Sequence, residues 1–599
     1  MAGWFRSVAR RPLRPSGAWA RRAALVAGAA LVLYACASPP RRGDTPGSTA
    51  GADDRRSGSV VILAVNDVYR IEGIEGGKRG GLARLRTVRA ELERATPGGV
   101  LFLHGGDVIS PSFLSRWYKG KQMIDVMNLM DGGRREGRLD ERMFVVFGNH
   151  EFDDEACGRE SVLQQRVAQS DFYWLHSNVA LTPCDDGHPR LVGANLLQSK
   201  IVEIGGLRVG LFGLTVDTKH DSFRFTDALE TARALARDLR RRGADVVVAV
   251  THLYSREDLR LYEQLRGEGL DLIIGGHDHV AMSLPRGDPE PRIFKADADA
   301  ITAWVVTLTR DADGRVLVTG RLRELGQDAG KDPAVDERVS GWLRAHASEF
   351  CAAAARDPHW LGSRPVSPSC LDERLAVAET ALDASEEKIR TSETSLGDWV
   401  TDQIFAAFQD CGVQGAFINA GGLRLNQDLP RGSDITVRHL EELVQYQTTL
   451  RIYKLTHASL RKALENAVSE PGAGRWLQVS EQIAFTYQPA DDGHGRARLM
   501  RVVLRPAGQP PIEVTDSTSG EILIVANEFL QKNPTDGFDT ILPPPESTTC
   551  PAAGSDLKTL LHAALKRQGR IRAEAQGRIC TDAEAHRRAC RVDPPGHPR

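Results

Sequence analysis

Val145-Val146-Phe147-Gly148-Asn149-His150-Glu151-Phe152-Asp153 decides how the rest of the chain is read. The apolar run reads as a buried strand, and the glycine ends it. Just beyond stand an amide, an imidazole and two carboxylates. Four further apolar runs end alike. Residues 60–65 lead into Asp67, and 100–103 into Asp107 through Gly105-Gly106. Residues 246–250 lead into His252, and 270–274 into Gly275-Gly276-His277-Asp278-His279. In an open α/β sheet, ligands gather beyond the carboxyl ends of the strands. If these five strands share one sheet, their tips converge nitrogen and oxygen donors of the kind a metal site needs.

Between these runs lie helical patterns. Residues 82–92 and 226–242 carry apolar stripes at helical spacing, and Gly243 ends the second. Alternating strand and helix predicts an α/β layered domain over residues 59–330. Residues 331–390, with Cys351, Pro358, Pro365, Pro368 and Cys370, read as an irregular hinge or insertion. A second rhythm fills 391–566: helices over 395–408, 440–444 and 459–468, and strands over 415–418 and 522–526. Residues 567–599 read as a polar tail.

The chain has 599 residues, 41% hydrophobic and 26% charged, too long for one ordinary core. Its 77 basic and 79 acidic residues nearly cancel, so nothing points to a nucleic-acid partner. No obligatory protein partner is evident either. Arg6, Arg10, Arg11, Arg14, Arg21 and Arg22 precede an apolar stretch over 23–35. That stretch is shorter than the roughly 20 residues a spanning helix needs, and suits a signal-peptide core. It ends in Leu33-Tyr34-Ala35-Cys36, which resembles a bacterial lipoprotein signal with Cys36 as the lipidated residue. Residues 1–36 are thus expected to export the protein and anchor it to a membrane, facing the periplasm or the cell surface. Residues 37–58, poor in apolar groups, read as a flexible linker. Of nine cysteines, eight remain for an oxidising compartment, with Cys157–Cys184, Cys351–Cys370 and Cys580–Cys590 as candidate local pairs.

The set Asn66-Asp67-Val68-Tyr69, Gly106-Asp107, Gly148 to Asp153, Thr251-His252 and Gly276 to His279 resembles the calcineurin-like metallophosphoesterases. The second half, with Asn419-Ala420-Gly421-Gly422-Leu423-Arg424 and Asp536-Gly537-Phe538, resembles the C-terminal domain of bacterial 5'-nucleotidases and UDP-sugar hydrolases. The resemblance implies a four-layer αββα sandwich followed by a smaller α/β domain. It also implies two divalent ions, zinc, manganese or iron. Asp107 would bridge them, Asn149, His252 and His277 would complete one shell, and Asp67 and His279 would belong to the other. His150 would face the substrate and serve its leaving oxygen, with Asp153 fixing the ring. A carboxylate sets an imidazole's tautomer and orientation, so the pair makes chemical sense.

The family's first motif has a histidine where this chain has Tyr69. Three consequences are open. Tyr69 is a phenolate ligand, as in the related purple acid phosphatases; or it lines the pocket beside a bound ion; or that ion is lost. The second is taken here. On the substrate side, the resemblance gives Arg424 a phosphate-binding role. Asn419, Gly421, Gly422, Phe529 and Asp536 would complete the substrate site, with Trp476 as a second candidate ring. The expected substrate is a nucleoside 5'-monophosphate or another phosphate ester.

Overall fold

The computed structural model describes residues 58–592, apart from 133–136, 154–160, 182, 185–189, 220–222, 312, 359, 361, 491–495, 551, 586–589 and the side chain of residue 535. The signal segment, Cys36, linker residues 37–57 and Cys157 lie outside the described residues, whereas Gly58 already belongs to a strand.

The first half is built on two face-to-face sheets. One runs Val316–Glu324, Thr302–Arg310, Gly58–Val65, Val100–His104, Met143–Val146, Tyr173–Leu175 and Leu196–Leu197. The other runs Met282–Leu284, Ile293–Lys295, Leu272–Gly275, Val246–His252, Leu207–Thr215 and Ser199–Ile204. The five donor-bearing strands therefore divide between the two sheets of the sandwich, so the condition of one shared sheet is not met. Three lie in the first sheet and two in the second. The period-two alternation of a strand explains the layering. Val60, Ile62 and Ala64 point between the sheets, against Val209, Leu211, Val246 and Val248. Val61, Leu63 and Val65 point outward, against Leu82, Leu85 and Val88 of the helix Leu82–Ala95. The second sheet is covered by Ala232, Ala236 and Leu239 of the helix Ala228–Arg241, whose N-cap Asp227 accepts a hydrogen bond from the Glu230 amide. Helix, sheet, sheet and helix make the expected αββα sandwich.

The second half is a smaller α/β domain. Its central sheet runs Leu450–Thr456, Glu521–Asn527, Gly415–Asn419 and Leu477–Val479. Leu396, Val400 and Ile404 of the helix Ser395–Phe408 join its core.

Two stretches depart from the sequence reading. Residues read as irregular contain a helix, Pro333–Arg356, capped by Asp332, which accepts from the Ala334 and Val335 amides. Val335 and Val339 at its start enter the first-half core, whereas Cys351 near its end enters the second. The described part of the polar tail is also folded in. Arg570–Ile571 pairs with Arg374–Ala378, and Ile579–Thr581 with Ile483–Gln488. Arg578, fully buried between them, pairs with Asp402 at 2.6 Å and Asp398 at 3.3 Å.

Disulfides join Cys351 to Cys370 and Cys580 to Cys590, as the spacing suggested. A third, Cys411–Cys550, closes a separation of 139 residues that local spacing could not reveal. No helix among the described residues is long and apolar enough to cross a membrane.

Candidate metal centre

All five donor-bearing strands point their carboxyl ends to the same edge of the sandwich. The pairings Gly58–Val65 with Val100–His104, Val100–His104 with Met143–Val146, and Val246–His252 with Leu272–Gly275 are parallel. Across the two sheets, His252 Nδ1 donates to the Gly105 carbonyl at 2.6 Å. That bond leaves Nε2 as the free donor atom.

The donors form two groups that share one carboxylate. In the first, Asn149 Oδ1 lies 3.1 Å from both His252 Nε2 and His277 Nδ1, and the two ring nitrogens are 3.2 Å apart. In the second, Asp67, Asp107 and His279 bring ligand atoms within 4.8 Å of one another, all three side chains buried. Asp107 Oδ2 belongs to both, being 3.4 Å from His252 Nε2. Only a carboxylate has two oxygens with which to join two such groups.

Four of these residues, Asp67, Asp107, His277 and His279, have φ between 52° and 82°. Left-handed backbone is uncommon for non-glycine residues, and such strain gathers at functional sites. The loops are pinned from beneath. Glu151 accepts from the amides of Asp107 (2.9 Å), Val108 (2.7 Å), Ile109 (3.0 Å) and Gly148. One buried carboxylate thus ties the Asp107 loop to the Asn149 loop. Gly148 has no alternative here, since a Cβ would stand 2.1 Å from Asp107 Oδ1. Under the other loop, Lys295 is wholly buried and donates to the carbonyls of Leu253 (2.6 Å) and Gly276 (2.9 Å). It also pairs with Asp258 and Asp278.

The electrostatics favour a cation at this point. Burial works against a charged His252, yet Asp107 and Asp67 outweigh it and raise the ring to about 10. Burial would raise Asp67, but His279 and His252 hold it well below the carboxylate range. His277, buried and beside His252, is pushed well below the imidazole range. A neutral ring with a free lone pair is the form a metal takes.

Tyr69 does more than line the pocket wall. Its hydroxyl stands 2.9 Å from Asp107 Oδ2, 3.0 Å from His279 Nε2 and 3.2 Å from Asp67 Oδ1. It lies inside the second donor group. Burial, then Asp107 and Asp67, push the phenol well above its usual range. The mixed imidazole and carboxylate donor set fits divalent metal ions. In the second group the Tyr69 oxygen either joins the shell or turns aside.

His150 Nδ1 lies 3.0 Å from Asp153 Oδ2. Burial disfavours the charged ring, but Asp153 and Asp107 prevail and hold His150 above the imidazole range. Its Nε2 faces the second half, where Arg424 Nη2 stands 3.5 Å away. Arg424 lies over the Tyr69 and Tyr446 rings, with its carbon 5.6 Å and 5.8 Å from their centroids. Its Nε donates to the Gly421 carbonyl at 2.7 Å. The Gly421 amide in turn donates to the Gly474 carbonyl at 2.9 Å, and a Cβ on Gly421 would sit 3.1 Å from Gly474. Asn419 is buried, and accepts from Asn527 at 2.9 Å. Burial raises the Asp536 carboxyl, against the fields of Arg475, Arg390, Arg424 and His150.

The two candidate rings part company. Trp476 is fully buried in the core, so it presents no face to a ligand. Phe529, on the helix Glu528–Lys532, is 50% exposed. Sequence reasoning gave no role to Glu151, Lys295, Arg390, Glu386 or Arg475. Glu151 stood inside the quoted motif and was the one visible signal; the others sit at places only the tertiary fold defines.

Two family models match. Residues 60–281 match the calcineurin-like phosphoesterase domain, and residues 374–519 match the 5'-nucleotidase C-terminal domain. The fold and the donor set define a metal-dependent hydrolase of phosphoric esters. The chain thus carries a calcineurin-like phosphoesterase domain followed by a 5'-nucleotidase C-terminal domain, and its homologues include 5'-nucleotidases and YfkN. It is 25% identical over 453 residues to the trifunctional nucleotide phosphoesterase YfkN of Bacillus subtilis, covering 68% of this chain and 28% of that one. It is 23% identical over 465 residues to a snake venom 5'-nucleotidase of Naja atra, covering 70% of this chain and 80% of that one. In fold it is similar to a 5'-nucleotidase precursor of Thermus thermophilus, with TM-score 0.66 and 23% identity over 87% of this chain and 99% of the other.

Proposed function

We propose that this protein is an exported phosphohydrolase that converts nucleoside 5'-monophosphates to nucleoside and phosphate. The observation that carries the reading is the approach of Arg424 to His150 at 3.5 Å, from opposite halves of the chain. A phosphate reaching both would meet a fixed guanidinium on one side and the donor cluster on the other. Asp67, Asp107, Asn149, His252, His277 and His279 would hold two ions. Such a pair, when bound, supplies a nucleophilic oxygen at neutral pH and steadies charge on an in-line phosphoryl transition state. His150, whose charged form Asp153 and Asp107 favour, would donate to the departing ribose oxygen. Asn419, Gly421 and Gly422 shape the loop that aims Arg424, and Asp536 borders the same space. Phe529 offers its exposed face to the base.

The names of similar proteins support this substrate class, since they include 5'-nucleotidases and a nucleotide phosphoesterase. The amino-terminal sequence supports export with a lipid on Cys36, and residues 331–390 are proposed to carry the hinge between the halves. The test is a panel of AMP, UDP-glucose and an aryl phosphate with manganese, alongside metal content per chain. Preference for AMP with two ions bound is expected. Equal turnover of all three removes nucleotide specificity.

A second reading rests on Tyr69 and Trp476. With one ring buried and a phenol among the donors, the site also suits UDP-sugars, cyclic nucleotides or non-nucleotide phosphates, or a silent nucleotide-binding role. Absence of turnover with any divalent metal, with AMP still bound, would favour the silent form. One ion per chain, with no gain on Tyr69→His, would mark a crippled centre.

A further inference from the structure

The outer face of the metal-donor ring His279 is met by the second half of the chain. Glu386, on the short helix Glu386–Ile389, places Oε1 3.0 Å from His279 Nδ1, though without the alignment of a full hydrogen bond. The opposite ring nitrogen, Nε2, faces Asp67 Oδ1 at 3.2 Å. Both side chains are 5% exposed, so water does not stand in for either partner. Glu386 is kept charged. Burial alone would neutralise it, but Arg390 and His279 drive its carboxyl far below the usual range. Arg390 pairs with the same Oε1, and Arg424 Nη1 approaches it at 3.8 Å.

The neighbouring loop repeats the arrangement. Asn426 Oδ1 accepts from the Glu386 amide at 3.0 Å, and Asn426 Nδ2 donates to Asp299 Oδ2 at 3.0 Å. Asp299 accepts in turn from the amides of Tyr69 and Arg70, both at 3.0 Å. Arg70 completes the clasp by donating to the carbonyls of Arg424 (2.7 Å) and Leu425 (2.8 Å). Two strained donor loops of the first half are thus braced by side chains that arrive with the second.

We propose that Glu386 is a positioning residue for the metal centre: it orients His279 with Nε2 inward, and does so only while the two halves are docked. A carboxylate behind a metal-bound imidazole fixes its tautomer and raises its basicity. Metal affinity at the Asp67–His279 group therefore depends on how the halves are arranged. The proposal rests on the two-metal reading above.

The test is equilibrium dialysis of Mn2+ against the full chain, comparing wild type, Glu386→Gln, His279→Gln and the double variant. Glu386→Gln is expected to weaken one of two sites about 10- to 100-fold, the range for such outer partners. The same change is expected to do nothing further in the His279→Gln background. Equal losses in both backgrounds would overturn the proposal, since Glu386 would then act only by neutralising Arg390 and Arg424. So would unchanged binding by Glu386→Gln while wild type holds two ions, which leaves the two-metal reading intact. Wild type binding no Mn2+ would overturn both. If Glu386→Gln fails to fold, Glu386→Asp keeps the charge but shortens the reach; it is expected to weaken the same site, and unchanged binding would overturn the proposal.

Discussion

Arg424 and His150 face each other at 3.5 Å across the seam between the two halves of the chain. Arg424 is cationic, and the His150 ring is held toward its cationic form by Asp153 and Asp107. An anion accepting from both groups would offset that charge. Arg424→Ala is therefore expected to lower kcat/KM for AMP about 100-fold, the scale of one lost donor to a developing charge. Arg424→Lys is expected to recover little, because an ammonium lacks the planar fork. Steady-state kinetics at matched metal content would check both.

Glu151 answers four backbone amides with one carboxylate. Glu151→Gln presents an amide N–H to donors, and leaves buried groups unmatched. A stability loss of about 3 kcal/mol is expected, since each orphaned buried group costs about 1 to 3 kcal/mol. Denaturant unfolding would measure it. Metal retention should fall in parallel, because both donor loops hang on this side chain.

Phe529 is half exposed, so truncating it should change stability by less than about 0.5 kcal/mol, as for ordinary surface positions. Its loss should nonetheless raise KM for AMP by at least about fivefold, the low end of base stacking at about 1 kcal/mol. KM for an aryl phosphate lacking a base and ribose should change less. Equal changes for both substrates would remove Phe529 from the base site.

His346 sits wholly buried among Phe113, Trp117, Tyr118 and Phe350, the nearest ring at 4.4 Å. Burial, then Arg438 and Arg116, lower its ring to about 4. The unfolded chain takes up a proton near pH 6.5 that the folded one refuses until about pH 4. Stability from this group is complete above pH 6.5 and drains away as the pH falls, by up to about 3 kcal/mol. His346→Leu should flatten that part of the curve when unfolding is followed from pH 7 to pH 4.

The donor set was legible because it obeys a local rule. Asp67, Asp107, Asn149, His252 and His277 each follow an apolar strand within a few residues, so position along the chain predicts position in space. Trp476 shows the limit of that rule, since an indole reads alike whether it faces a ligand or, as here, the core. The division of the five strands between two sheets was hidden, because alternation tells which faces are buried but not against which partner. Helix Pro333–Arg356 escaped notice because its stripe, Val335, Val339, Trp342 and Phe350, is interrupted by His346. Tail strands of two or three residues carry too little pattern to read. Glu386 was invisible for a different reason: its partner lies 107 positions away in another domain.

The helix Pro333–Arg356 is common property. Neither half keeps a closed interior without it: severing the chain before Asp332 would bare the seat of Val335 and Val339, and severing it after Arg356 would strip the other half of Cys351 and its bridge to Cys370. Any swing of one half against the other must therefore carry this rod along or pivot about its ends. Neither half is a detachable part.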